Sequence, residues 1–336
     1  MTDVLDRADF FRSGLAGRRG NAVKEWHHFV VHSPDIRLLV NFSLSHGEAP
    51  TGRQLGRVIV LVHHRDWDGW IEEVSVEDLE VSSRGVSGRF GASRLQFDDG
   101  GYLVELNLPA RGLNGRLRFV PVSKPFLKNN QPLGGGRMSW LFVPRLAVDG
   151  WVKTPSARFW MREAAAYHDH NWGPFRWGDD FGWQWGSALP HHTDEPWSLV
   201  FMRMTDRSHS VAQSQCLYVW HGGEPAAMFR DNAVTVTSEG SLGTAPVLTM
   251  PGIMSLLTPG TSSDVPKRIR LDARRGQDRV AVTIEPVEYA RIAVPAEVGP
   301  QKVVALHEVS AAVSAHGVIG GEQMELKGSG VFEFLR

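Results

Sequence analysis

The sequence predicts an all-β chain built as two antiparallel barrels in tandem. Three observations predict it. Apolar residues alternate with polar ones over most of the length, Gly, Asp, Asn and Ser clusters recur at close spacing, and the length fits two domains. Runs rich in Val, Phe, Trp and Ile carry the period-2 pattern of strands with one covered face. Clusters such as Phe97-Asp98-Asp99-Gly100-Gly101, Gly134-Gly135-Gly136 and His221-Gly222-Gly223 punctuate them. At 336 residues the chain holds about two domains of roughly 150 residues. Fourteen or more short strands suggest barrels or sandwiches.

In chain order, the first half reads as strands over Trp26–His32, Ile36–Ser45, Arg57–His64, Tyr102–Leu108, Gly115–Val122 and Met138–Pro144. The second half repeats this over Phe181–Leu189, Trp197–Thr205, Gln215–Trp220, Asn232–Thr237, Lys267–Leu271, Arg279–Glu285, Val303–Val313 and Gly328–Phe334. Thr2–Ser13 is expected to form a short helix. Lys124–Gly136 reads as a long polar loop able to cover a pocket. Gly, Pro and Asp cluster between Gly173 and Asp180, which sets the expected domains at 20–175 and 176–336.

Composition excludes several function classes. Lys plus Arg is 36 and Asp plus Glu is 37, so nothing marks a nucleic-acid partner. No apolar run approaches the roughly 20 residues of a membrane span. The single cysteine, Cys216, excludes an internal disulfide and a multi-cysteine metal site; it sits mid-strand and reads as packing. A cytoplasmic location is the expectation. No GxGxxG after a strand, GxxxxGK[ST] or G-x-S-x-G is present.

The chemistry concentrates in Ala166–Ser187, AYHDHNWGPFRWGDDFGWQWGS. If Ala165–Trp172 is extended, His168, His170 and Trp172 share one face, and Tyr167, Asp169 and Asn171 the other. Imidazoles, a carboxylate, a phenol and an amide together can move a proton and orient a dipole. In Glu25-Trp26-His27-His28, Glu25 and His27 share a face, as do Trp26 and His28. The H-x-H spacing of His168 and His170 also suits a metal, but a strand His pair is more often hydrogen-bonded structure, and no metal is expected. His63-His64 reads as a solvated strand end and His191-His192 as an exposed turn. Trp140, Trp160 and Trp220 read as core. Trp183 and Trp185 share a strand face and can wall an aromatic cavity, where an indole stabilises a cation by about 2 kcal/mol once desolvated.

Tyr167-His168-Asp169-His170-Asn171-Trp172-Gly173, followed by Phe181-Gly182-Trp183-Gln184-Trp185-Gly186, resembles the hydroxyneurosporene synthase (carotenoid 1,2-hydratase) family and the related AttH-like proteins. Glu25-Trp26-His27-His28-Phe29 and Gly328-Ser329-Gly330-Val331-Phe332-Glu333 are similar to the family's early and closing strands, so the likeness runs over roughly residues 20 to 336. It implies two lipocalin-like (calycin) barrels and cofactor-free acid chemistry on an acyclic carotenoid. The alkene is protonated, the tertiary cation is held, and water attacks. The fungal lipocalin-like Diels–Alderases have a similar architecture. Carried over by the motif, the family's functional His and Trp fall on His170 and Trp172. The hydratases' aromatic and carboxylate on the next strand have no counterpart in Ser198–Asp206 except Asp206 at its far end. A proton donor is therefore sought in Asp169, Asp179, Asp180 or Glu25.

The resulting expectation is a cofactor-independent enzyme acting on a hydrophobic terpenoid or polyene by acid-initiated hydration or cyclisation. His170, Asp169, Trp172 and His168 are the expected catalytic residues. Tyr167, Asn171, Trp183, Trp185, Arg203, Trp26 and His28 are expected to bind substrate. A pericyclase and an apolar-ligand carrier are the alternatives. The expected partner is the small molecule itself, with transient membrane contact as a further one.

Overall fold

The computed structural model describes residues 7–12, 23–33, 35–46, 54–190, 195–243, 247–251, 265–299 and 303–335. The chain divides into two compact units, Met1–Arg176 and Trp177–Arg336. Both are all-β, as the alternation requires. Among the described residues of the first unit, twelve strands form one antiparallel sheet. Its path runs β4 (Trp67–Val74), β3 (Gln54–His63), β2 (Arg37–His46), β1 (Val23–His32), β12 (Arg158–Pro174), β11 (Gly136–Lys153), β9 (Leu113–Pro121), β8 (Gly101–Leu108), β7 (Ser93–Asp98), β6 (Ser87–Phe90) and β5 (Leu79–Val81), with β10 (Phe126–Leu133) beside β11. The two ends of the path approach each other. A Cβ on Gly56 of β3 would stand 3.0 Å from Leu79 of β5 and 3.2 Å from Phe90 of β6.

The second unit repeats the plan with ten strands among its described residues. The path is β16 (Glu224–Arg230), β15 (Ala212–His221), β14 (Trp197–Thr205), β13 (Gly182–Pro190), β22 (Glu322–Leu335), β21 (Val303–Ile319), β20 (Asp278–Pro295), β19 (Arg268–Arg275) and β17 (Val234–Glu239). β18 (Val247–Met250) runs parallel to β20. In each unit a four-strand meander is joined, through its first strand, to the last strand of the unit. These are two lipocalin-like antiparallel barrels.

Alternation decides what each strand buries. Phe29 and Val31 of β1, Val40 and Phe42 of β2, and Ala166 of β12 lie in the core of the first unit. Leu199 and Phe201 of β14, Val309 and Ala311 of β21, and Phe332 and Phe334 of β22 lie in that of the second. Each large side chain so buried contributes roughly 1.5–3 kcal/mol. The longest hairpins bend at prolines. The β11–β12 register shifts between Val143 and Leu146, around Pro144, and the β20–β21 register between Pro286 and Glu288. A proline has no N–H for the ladder and is accommodated where pairing breaks.

Several expectations change. Lys124–Gly136 is mostly strand, since β10 pairs with β11 through Phe126, Leu127 and Lys128. Trp160 is 59% exposed and lies tilted against Trp151, at the surface rather than in the core. Within Thr2–Ser13, the described residues hold one 3-10 turn, Arg7–Asp9. His63 is buried against Trp67, while His64 is exposed. His191-His192 lies outside the described residues.

Candidate active site

β12 carries different chemistry on its two faces. Its pairing with β1 sets His170 opposite His27, His168 opposite Phe29, and Asp169 opposite His28. Phe29 is core, so His168, His170 and His27 point into the first barrel. There the His27 ring stacks on His170 at 4.0 Å and on His168 at 5.6 Å. The N-terminal segment enters the same space. Asp9 Oδ1 lies 3.5 Å from His168 Nε2, 3.5 Å from His170 Nδ1 and 3.9 Å from His27 Nδ1. Tyr102 donates its hydroxyl to Asp9 Oδ2 at 2.7 Å. Glu25 Oε1 accepts from His170 Nε2 at 2.8 Å and from the Arg12 backbone N–H at 2.7 Å. Phe11 packs on His27 at 4.5 Å. Burial, then the charges of His170 and His168, pull the His27 imidazole well below its usual value. Trp172 shares this face, 4.7 Å from His170 and beneath the Arg12 guanidinium.

The opposite face carries the other half of the motif. Asp169 accepts from Tyr167 Oη at 3.0 Å and from Asn171 Nδ2. On β1, His28 pairs across from Asp169 and Trp26 across from Asn171. His28 Nδ1 accepts from Asn41 Nδ2 at 3.4 Å, and Ser43 donates to Asn41. Burial pulls the His28 imidazole down to about 3, so it is neutral. Trp140 stacks on Phe142 at 4.2 Å, and Phe142 faces Tyr167. Asp169 thus has both oxygens engaged as acceptors.

A carboxyl pair lies in the second unit. Phe332 and Phe334 fill the core, which turns Glu333 to the other face of β22. Its partners across the strands are Glu308 on β21 and Trp185 on β13. Trp183 donates its indole N–H to Glu333 Oε2 at 3.0 Å, and a side-chain hydrogen bond joins Glu333 to Glu308. Glu308 is buried; Glu333 is partly accessible. Two carboxylates only accept, so a bond between them requires a proton on one. Desolvation pushes the Glu333 carboxyl up to about 7 against the opposing pull of its bonds to Trp183 and Glu308. Trp177 and Phe181 flank Trp183, each with its ring centroid 6.0 Å away.

By unit and strand face, the expected residues fall into three groups. His168, His170 and Trp172 lie inside the first barrel. Tyr167, Asp169, Asn171, Trp26 and His28 lie on the other face of β12 and β1. Trp183 and Trp185 lie beside Glu333. Arg203 pairs with Gln184 on β14, on the face opposite Trp183, and donates to Gln184 Oε1 at 3.2 Å. Among the sought donors, Asp180 is exposed and accepts from the Arg207 backbone. Asp206 caps a turn, where bonds from Ser208, Val211 and Ser210 hold it below the usual carboxylate range. Sequence reasoning missed Asp9, Tyr102, Glu308 and Glu333 as site residues. The signal for Glu333 was an acid between two phenylalanines on an apolar strand. Asp9, His27 and His168, and Glu25, His27 and His170, are the described groups of three potential metal-ligating donors that lie inside a single unit.

No protein-family model matches the sequence, and no curated protein is recognisably similar to it. Solved structures are. One named for AttH, from Nitrosomonas europaea, superposes with a TM-score of 0.68 at 12% identity over 98% of this chain and 95% of its own. Kievitone hydratase from Nectria haematococca gives 0.58 at 10% identity over 93% and 88%. CghA with Sch210972 gives 0.58 at 14% identity over 94% and 88%. At these identities the likeness shows the fold. Among the described residues no helix is long and apolar enough to cross a membrane.

Proposed function

We propose that the protein is a cofactor-independent enzyme that protonates an alkene of a hydrophobic terpenoid or polyene, leading to hydration or cyclisation. The observation that carries this reading is the Glu308–Glu333 pair beside Trp183 and Trp185. A general acid works best when its pKa lies near the working pH, and Glu333 is pushed to about 7. In the step proposed, the Glu333 proton passes to one alkene carbon and its electron pair stays on the carboxylate. The tertiary cation left on the other carbon faces electron-rich indoles. Water then adds and loses a proton, or a second alkene closes a ring and a proton leaves; either route restores the acid. Glu308 holds the proton in place by sharing it.

His168, His170 and Trp172 are assigned a supporting role, holding β12 from inside the barrel. Asp169, with both oxygens accepting, suits orientation rather than proton donation. The acid pair also supports an enzyme over a carrier, which gains nothing from a desolvated carboxyl. The fold shared with a hydratase is consistent with the reading.

The test is product profiling by mass spectrometry. The full chain, without added cofactor, is incubated with acyclic terpenoids and polyenes. Gain of one water, or an isomer at a new retention time, is expected from wild type. Glu333→Gln should lose it by about 10²-fold or more, far more than Asp169→Asn or His170→Ala. An isomer formed equally well by Glu333→Gln would favour a pericyclase. Saturable binding with no product would favour a carrier.

A further inference from the structure

The cluster inside the first barrel holds more lone pairs than protons to bind them. The His28 carbonyl only accepts, so His168 Nδ1, 3.0 Å away, is the donor. That leaves Nε2 of a neutral His168 as a lone pair aimed at Asp9 Oδ1, 3.5 Å off. His170 is engaged at both nitrogens: Nδ1 donates to the Ala8 carbonyl at 3.2 Å, and Nε2 meets Glu25 Oε1 at 2.8 Å. His27 Nδ1 and Nε2, His168 Nε2 and Asp9 Oδ1 are fully buried, and none has a hydrogen-bond partner. Orphaned buried polar atoms of this kind are rare and unfavourable. Several converging on one point call for a shared cation.

We infer that Asp9 Oδ1, His168 Nε2 and His27 Nδ1 bind one divalent transition-metal ion, zinc by donor type, which fastens the N-terminal segment into the first barrel. The three donor atoms lie within 4.8 Å of one another. Tetrahedral zinc with ligands at about 2.0–2.1 Å needs edges of roughly 3.4 Å, and Asp9 Oδ1 stands 3.5 Å from His168 and 3.9 Å from His27. His170 Nδ1, 3.5 Å from that oxygen, is bonded to the Ala8 carbonyl at 3.2 Å, so three protein donors are counted. The supports a ligand set needs are present. His168 is fixed through its Nδ1–H to a carbonyl, and Asp9 through the Tyr102 hydroxyl. The site is closed by Phe11, Phe29 and the stacked rings, the character of a structural ion rather than a catalytic one. The inference goes beyond the proposed reaction and does not depend on it.

The test uses the full chain, purified without a metal-affinity step. Elemental analysis should find about one zinc per chain, with a ligand set of this type. Stripping with a chelator should lower Tm, and added Zn2+ should restore it. Co2+ added to stripped wild type should give the visible bands of a four-coordinate N/O site, a readout that needs no variant. His168→Gln and His27→Gln should each weaken binding at least tenfold, while His28→Gln, on the opposite face, should keep it. Metal below about one-tenth per chain, with no Co2+ bands and no Tm change on adding Zn2+, would overturn the inference and leave protons as the balancing charge. Full metal retained in both His168→Gln and His27→Gln would overturn it equally.

Discussion

Each unit places carboxyls out of bulk water, and the two units treat them in opposite ways. In the first, Asp9 and Glu25 sit among three imidazoles. In the second, Glu333 meets another carboxyl, Glu308, and an indole N–H. Imidazole neighbours offer a carboxylate hydrogen-bond donors and co-ligands, a setting that binds and holds. Desolvation favours the neutral acid at Glu333 against the pull of those two bonds, and a neutral acid can give its proton away. The fold is the same in both places. The difference is one of partners, set by which strand positions carry His and which carry Glu.

The largest expected effect breaks the first region mechanically. A Cβ on Gly173 would lie 2.0 Å from the Arg137 carbonyl oxygen on β11. Gly173→Ala therefore forces β11 and β12 apart at the end of the His168–Trp172 run. A loss of about 3 kcal/mol or more is expected in urea unfolding, and parental stability would mean that the strands yield more easily than the geometry allows.

The next effect separates the two acids by pH. Glu333 binds its proton more tightly folded than unfolded, so stability falls as pH rises from about 4.5 to about 7. With allowance for solvent at the partly accessible Glu333, the loss is about 2 kcal/mol. Glu333→Gln should abolish this slope and be relatively more stable at pH 8 than at pH 4. Parallel pH profiles for parent and variant would contradict it.

A matched pair of tyrosines sharpens the comparison across β12 itself. Tyr102→Phe removes the hydroxyl that satisfies Asp9 Oδ2, inside the barrel. Tyr167→Phe removes one of the two donors to Asp169, on the other face. Costs of about 2 kcal/mol and about 1 kcal/mol are expected respectively. Equal thermal shifts would show that the two carboxylates are equally well supported. The smallest effect is at Trp160, whose exposure makes Trp160→Ser worth about 0.5 kcal/mol or less. A loss of core magnitude there would restore the core reading of that residue.

Much of the fold was legible because alternation is a local signal. The paired faces of Ala165–Trp172 and of Glu25–His28 followed from period 2 alone, and β1 and β12 do set them so. Strands with mixed patterns were not legible. β4 begins at Trp67, in a polar stretch where no strand was expected, and β10 carries Lys128, Asn129, Asn130 and Gln131. Trp160 misled because an indole on a strand looks like core until the strand's partners are known. The site was harder still. Glu308 and Glu333 are adjacent only through the β21–β22 register, and Asp9 reaches His168 across 159 positions of sequence by way of tertiary packing. Sequence spacing carries neither.

The central claim, that Glu333 starts the reaction by giving up a proton, is tested most directly by running wild-type turnover in D2O. The account predicts one deuterium bonded to carbon in the product, at the former alkene position, and little product from Glu333→Gln. A wild-type product that forms without carbon-bound deuterium would contradict it.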